Sequence, residues 1–310
     1  RAAPQPHRLT TSRPRMDVVA IFGPTAVGKT GVAIELANLL RERGEDPVAI
    51  GCDSIQVYRG LEILSGAPTP GEREQLEHRL VSIADVSEEF SAGRFAKLAH
   101  DAVDRLLAEG RRPIVVGGTG LYLRAALAEL ELRPPVPAEV RAEVEADLAE
   151  RGSDALHAEL PAELSSGVHP NDGKRIVRLT ELTRLGIAPH ASSEGLWTEE
   201  LRAPSLLFGL TLEREELHAR IDARVEAMIA AGATEEAKKA DEADASRTAR
   251  AAIGFDELLE GDVERMKSAQ RAFARRQLTW MRRMPGVELV DRTGLGDDEV
   301  ARAILGHLGE

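Results

Sequence analysis

The chain has 310 residues, 43% of them hydrophobic and 30% charged, with a formal net charge of -12 and one cysteine. That length accommodates an α/β core plus an accessory part, and the balance is that of a soluble globular protein rather than a disordered or membrane-spanning one. A single cysteine excludes a disulfide framework or a cysteine-built zinc site and fits a reducing cytoplasm; the negative charge argues against nucleic acid unless the charges segregate.

In chain order, residues 1–15 (RAAPQPHRLTTSRPR) carry arginine and proline without periodicity and lack the apolar segment of a secretory signal. They are expected to be a disordered extension, with the core beginning at Met16. Four short apolar runs bounded by turn residues, DVVAIFG, DPVAIGCD, RRPIVVGG and SLLFGLTL, read as buried parallel strands. Helical stretches over 29–43 and 93–109 alternate with them, which predicts a doubly wound, P-loop NTPase-like sheet with ligands at the carboxyl ends of its strands. The first part of this core is expected over 16–130. Over 131–200 the strands give way to acidic, alanine-rich helical sequence, expected to be an inserted helical domain, and 201–310 returns to the core with one strand and C-terminal helices.

After the first strand comes GPTAVGKT, residues 23–30, which fits the phosphate-loop pattern G-x-x-x-x-G-K-[ST]. Glycines let the backbone amides turn around an anion, Lys29 supplies a point charge, and the Thr30 hydroxyl can join a magnesium shell. The motif names a diphosphate or triphosphate ligand without saying what is done to it. An ATP hydrolase would add an acid at the end of a further strand. The third strand here ends in VVGGTGLY, so no ATP hydrolysis is expected. The second strand ends in Asp53, which could hold magnesium as in a kinase or take a proton from an acceptor. Its neighbour Cys52 reads as a small buried filler. His169, before Pro170 and with no second histidine or cysteine at metal spacing, reads as a turn residue.

Residues 265–283 (RMKSAQRAFARRQLTWMRR) contain seven arginines or lysines and no acid. As a helix, Met266, Phe273 and Trp280 recur every seven residues and predict an apolar stripe, with Arg271, Arg275 and Arg282 on another face. Those arginines either meet an anionic partner or pair with the protein's own carboxylates.

The segments GPTAVGKT, DSIQVYRGLEI, FSAGRFA, GGTGLYLRAAL, HPNDGKRIVRLTEL, LHARIDARVEAMI, RTARAAIGF and FARRQLTW occur in an order that resembles the tRNA dimethylallyltransferases, over roughly residues 17 to 284. The resemblance implies that the loop Gly23, Pro24, Thr25, Ala26, Val27, Gly28, Lys29 and Thr30 holds the diphosphate of dimethylallyl diphosphate rather than ATP. It also implies that the acceptor is the adenosine 3′ of the anticodon in a tRNA anticodon stem-loop. By the same resemblance Asp53 is the general base, Lys29, Thr25 and Mg2+ serve the leaving diphosphate, and Arg220 and Arg224, one helical turn apart, can both face it. It places Asp53, Ser54, Ile55, Gln56, Thr119, Arg141, Lys174, Arg175, Ile176, Val177, Arg178, Arg250, Gly254 and Phe255 against tRNA. Arg271 and Arg275 are then expected on the tRNA backbone. A cytoplasmic monomer is the expected form.

The chain departs from the family's pattern at residues 64–68, which read LSGAP with Ala67 where a lysine is usual, and at His78-Arg79 and Val81-Ser82. Two other classes fit the loop: a small-molecule P-loop kinase, and an isopentenyltransferase acting on free AMP or ADP. A non-catalytic RNA-binding protein fits less well. The inserted helices and the basic C-terminal stretch favour the tRNA enzyme.

Overall fold

The computed structural model describes residues 17–130, 132, 136–187, 197 and 199–308. The extension expected over 1–15 lies outside the described residues. The chain forms two compact units, Arg1–Leu130 with Thr198–Glu310, and Glu131–Trp197.

The larger unit is built on a six-stranded, wholly parallel sheet of order β3-β2-β4-β1-β5-β6. Its strands are β1 (Val18–Phe22), β2 (Pro47–Gly51), β3 (His78–Arg79), β4 (Arg112–Gly117), β5 (Ser205–Thr211) and β6 (Val287–Asp291). β1 is central, with Ala20 opposite Val115 on one side and Leu207 on the other. Both β1 and β2 are buried throughout, which explains why they read as continuous apolar runs rather than alternations. Against one face pack α1 (Lys29–Glu42) and α14 (Asp297–His307), where Val19, Ile21, Ile114 and Phe208 meet Val32, Leu36, Leu40 and Ile304. The other face is met by α4 (Ala92–Glu109) and α5 (Gly120–Leu127), which pack on β2 and β4. The chain leaves β1 toward β2 and leaves β4 toward β5, in opposite directions, so the carboxyl ends of β1 and β4 flank a topological switch point.

Between β2 and β3 lie two short helices, α2 (Glu62–Ser65) and α3 (Pro70–Gln75). In the smaller unit, α6 (Ala138–Glu159), α7 (Ala162–Ser165) and α8 (Gly173–Arg184) enclose their own core of Val144, Leu156, Leu164, Ile176 and Leu179. Gly152 interrupts α6 with φ 79 and ψ 166. After β5 the larger unit continues through α9 (Arg214–Ala230), α10 (Ala233–Glu242), α11 (Arg247–Arg250), α12 (Phe255–Glu260) and α13 (Val263–Arg283).

The sequence reading did not anticipate β3 or β6. β3 has only two residues, and β6 is an edge strand whose Glu288 and Leu289 are exposed, so neither shows a continuous apolar run. The seven-residue stripe on α13 is also corrected. Its buried line is Met266, Gln270, Ala274, Gln277 and Met281, while Phe273 and Trp280 are half-buried. Steps of four and three residues track a straight 3.6-residue helix better than repeated sevens, and two glutamines on that line hid it from a hydrophobic count.

Candidate active site

The phosphate loop leaves β1 and enters α1 through Gly28, whose φ of 92 is left-handed; no side chain caps the helix there. The first-turn amides are therefore uncommitted to a side-chain cap, the arrangement that receives an anion. Ala26, with φ 62, adds a second left-handed turn to the loop. Lys29 curls back over it, its Nζ donating to the carbonyls of Gly23 (3.1 Å) and Pro24 (2.9 Å). Burial and the neighbouring charge of Arg224 pull Lys29 down to about 7, with Asp53 working in the opposite direction.

A cavity of about 1240 Å³ opens over the loop, lined by Thr25, Ala26, Gly28, Lys29 and Thr30, by Asp53, Ser54, Ile55 and Gln56, and by Gly117 and Gly118. Pockets for drug-sized ligands span roughly 300–1,000 Å³, so this space exceeds that of a usual single-ligand pocket. Its wall carries an apolar strip of Ile63, Leu64, Ala67, Met228 and Ile253 beside Lys29 and Arg224.

Asp53 follows β2 in an Asx turn. Its Oδ1 accepts from the backbone N–H of Ile55 (2.9 Å) and Gln56 (3.4 Å), and Oδ2 accepts from the Thr119 hydroxyl at 3.4 Å. One oxygen is thus fixed by the turn, leaving the other toward the end of β4. Arg224, on α9, is half-buried with its Nε shielded from solvent; its Nη2 reaches the Gly66 carbonyl at 3.5 Å and its Nε has no hydrogen-bond partner. Among the described residues no carboxylate lies within ion-pair distance of it, and burial pushes it below the usual guanidinium range. A desolvated cation of this kind is costly unless an anion joins it.

The structure leaves Arg220 elsewhere: it pairs with Glu216 at 2.7 Å and does not line the cavity. The one-turn spacing permits a shared face, but an acid four residues earlier captures the outer arginine. Arg271 is likewise engaged, with Asp222 at 3.0 Å, and Lys267 is bound by Glu226 at 2.5 Å and Glu264 at 2.9 Å. On α13 the exposed cations include Arg275, Arg276 and Arg282; Arg276 lies 5.5 Å over the Phe273 ring, and both Arg276 and Phe273 line the cavity. In the smaller unit, Lys174 and Arg175 are exposed, whereas Ile176 belongs to that unit's core and Val177 packs against it. Arg141 and Arg178 both bind the buried Glu181, at 3.1 and 3.0 Å. Arg250 pairs with Asp241 and lies over the buried Phe255 ring, and Gly254, at φ 102, abuts Met266; Ala251, Ala252 and Ile253 of that segment reach the cavity. The side chains of Ile176, Phe255 and Val27 are core, so any contact they make with a ligand is through the backbone. His169 is a turn residue whose Nδ1 accepts from the Asn171 N–H at 3.2 Å, and Cys52 is fully buried.

Sequence reasoning missed Gln277. Buried on α13, it accepts from the Thr25 N–H at 2.8 Å and donates to the Gly118 carbonyl at 2.8 Å, tying the loop after β1 to the loop after β4. A glutamine in the buried line of a basic helix was the available signal. Of the departures, residues 64–68 and Ser82 line the cavity, whereas His78 and Arg79 form β3 and do not. Ala67 and Ser82 both line the cavity, and Arg73, also lining it, donates to the Pro68 carbonyl (2.9 Å) and the Ser82 hydroxyl (3.3 Å). A cation therefore stands beside the position where the family's lysine is missing.

Among the described residues no group of three or more His, Cys, Asp or Glu side chains could hold a metal. Magnesium would find hard oxygen donors in this cavity in the Thr30 hydroxyl at the start of α1 and the Asp53 carboxylate. No helix among the described residues is long and apolar enough to cross a membrane.

A family profile described as IPP transferase matches residues 56–284. The chain is 39% identical to a tRNA dimethylallyltransferase of Kineococcus radiotolerans, covering 94% of this chain and 96% of that one. It is 40% identical to one of Anaeromyxobacter dehalogenans, with 88% and 94% coverage. Among solved structures it is similar to the tRNA isopentenylpyrophosphate transferase of Bacillus halodurans, at TM-score 0.68 and 33% identity over 95% of this chain and 97% of that one. It is similar as well to a eukaryotic dimethylallyltransferase acting on tRNA, at TM-score 0.68 and 26% identity over 90% and 74%.

Proposed function

The chain belongs to the IPP transferase family of tRNA dimethylallyltransferases and shares its activity, and from that premise we propose how this site carries it out. The donor is dimethylallyl diphosphate, seated with its diphosphate on the loop 23–30 and its prenyl chain along Ile63, Leu64 and Met228. The acceptor is the exocyclic N6 of the adenosine 3′ of the anticodon. The observation that carries this reading is one cavity holding Lys29, Arg224, an apolar wall and Asp53 together.

The bond from N6 to the allylic carbon forms as the bond from that carbon to the diphosphate oxygen breaks. Lys29, Arg224 and the loop amides receive the charge that grows on the leaving group. Magnesium, when bound, neutralises part of that charge, held on the protein side by Thr30. The N6 proton passes to Asp53, whose carboxylate is held in place by the Ile55 and Gln56 amides. The deciding experiment is the mass of undermodified tRNA incubated with the protein, the donor and magnesium, run beside free AMP. A dimethylallyl increment on AMP but not on tRNA, or phosphorylation of a metabolite with stoichiometric ADP, would place the chain in another class.

Lys29 gives this site a pH dependence with a definite sign. In the empty site it titrates near 7, and a bound diphosphate favours its charged form, so binding above that pH takes up a proton. Donor affinity should therefore fall as pH rises above about 7, by as much as about tenfold per unit, with no contribution from this group below it. Calorimetry at pH 8 in buffers of different ionisation enthalpy should show uptake of close to one proton, abolished in Lys29→Met. Zero uptake by the wild type would disprove the coupling.

On the RNA side, Asp222 engages Arg271, and Arg275 and Arg276 are the exposed neighbouring arginines of α13. Replacing both by alanine should flatten the dependence of log tRNA affinity on log salt by about 0.7 to 0.9 for each tRNA phosphate that the pair neutralises. An unchanged slope in a stably folded variant would assign tRNA docking to other surfaces.

A further inference from the structure

The phosphate loop is gripped from behind by a buried cation, Arg292, that does not line the cavity. Arg292 follows β6 in the turn Asp291–Thr293, where the Asp291 carboxylate accepts from the Thr293 N–H (3.0 Å) and hydroxyl (2.7 Å). Its backbone N–H donates to the Thr211 carbonyl at 3.1 Å, which anchors the turn to the end of β5. The Arg292 side chain is 5% exposed. Its Nη1 donates to the Val27 carbonyl at 2.6 Å, and its Nη2 pairs with Asp297, the first residue of α14, at 2.9 Å. The loop is shaped to admit this contact. A Cβ at Gly28 would fall inside the guanidinium, and one at Gly31 would fall inside the Asp297 carboxylate.

Peptide planarity gives the contact a consequence. In a trans peptide the C=O of one residue and the N–H of the next point in opposite directions. Holding the Val27 carbonyl out of the cavity therefore aims the Gly28 N–H into it. We propose that the Arg292–Asp297 pair is a positioning latch for the phosphate loop, presetting the Gly28 amide for the donor's diphosphate. Arg292 touches no reacting atom; it acts through the Val27–Gly28 peptide, and Asp297 orients it while tying the loop to α14. The energetic logic is preorganisation: a peptide already turned costs nothing to turn when the anion arrives.

The proposal rests on the reading that the loop 23–30 binds a diphosphate, and inorganic diphosphate is the probe that separates the two. Its Kd, with magnesium, is measured for the wild type, Lys29→Ala, Arg292→Met, Arg292→Lys and Asp297→Asn, with tRNA affinity and Tm recorded for each. Arg292→Met should weaken diphosphate binding by about tenfold while tRNA affinity stays within about twofold, and Arg292→Lys, which keeps a donor and a charge, should restore most of the affinity. Asp297→Asn should cost about threefold. Unchanged diphosphate affinity in folded Arg292→Met overturns the latch, as does a parallel drop in diphosphate and tRNA affinity, which reports general damage. If Arg292→Met does not fold, the part-exposed Asp297→Asn decides, and an unchanged Kd there overturns the proposal. Diphosphate binding that ignores Lys29→Ala removes the loop assignment itself, and the latch with it.

Discussion

Asp53→Asn is expected to slow dimethylallyl transfer by about 100-fold or more while leaving donor binding in place. The adenine amine is a poor nucleophile because its lone pair is delocalised into the ring, and bonding to carbon leaves it with a proton to lose. Asp53 sits at the end of β2 with one oxygen committed to the Ile55 and Gln56 amides and the other 3.4 Å from the Thr119 hydroxyl. Asparagine preserves the first role, since its carbonyl accepts the same amides, but it takes no proton. The substitution also removes a charge that helps keep Lys29 protonated, so donor binding should become sensitive to pH at a lower value than in the wild type. Single-turnover transfer at saturating donor, paired with donor Kd at pH 6.5, measures both parts. Intact transfer with abolished donor affinity would reverse the roles assigned to Asp53 and Lys29.

How much of this site the sequence reveals depends on the range of the interaction. The phosphate loop, the strands beneath it and Asp53 at a strand end are local: pattern and order specify them, and Arg224 follows from its helix. Choice of ion-pair partner is not always local. The pairing of Arg220 with Glu216, four residues earlier on α9, is open to a spacing argument, but Asp222 lies on α9 and Arg271 on α13, and nothing in the spacing says that this acid, rather than an anionic ligand, takes Arg271. Gln277 and Arg292 act across 252 and 265 residues of chain, on Thr25 and Val27, so only the folded sheet brings them to the loop. Both are polar residues in buried positions. A reading that assigns burial to apolar side chains passes over the two groups that fix the loop's shape.

Arg224→Met is expected to weaken donor binding by about two orders of magnitude without lowering the Tm of the ligand-free protein. A desolvated guanidinium with an unpartnered Nε and no carboxylate at ion-pair distance is only partly compensated by the more distant charges of Asp53 and Glu72, and a methionine of similar length fills the same space at less cost. The surroundings are cut to hold it: Gly66 adopts φ 59, and a Cβ there would collide with the Arg224 Nη2. If the cost of burying this charge is kept for the sake of the diphosphate, removing it should hold the Tm level or raise it by about 2–4 °C, the shift expected from about 1 kcal/mol in a domain of this size. The same change removes a charge-assisted contact from a dry site, where such contacts are strongest. Inorganic diphosphate should then raise the Tm of the wild type by mass action and leave that of the variant nearly unmoved. Lys29 supplies an internal check, because Arg224 is one of the charges that depress it, and its titration should move up in the variant. A variant that melts more than about 5 °C lower yet binds the donor as tightly as before would make Arg224 a structural cation of the Gly66 turn, and would leave Lys29 and the loop amides as the whole of the diphosphate site.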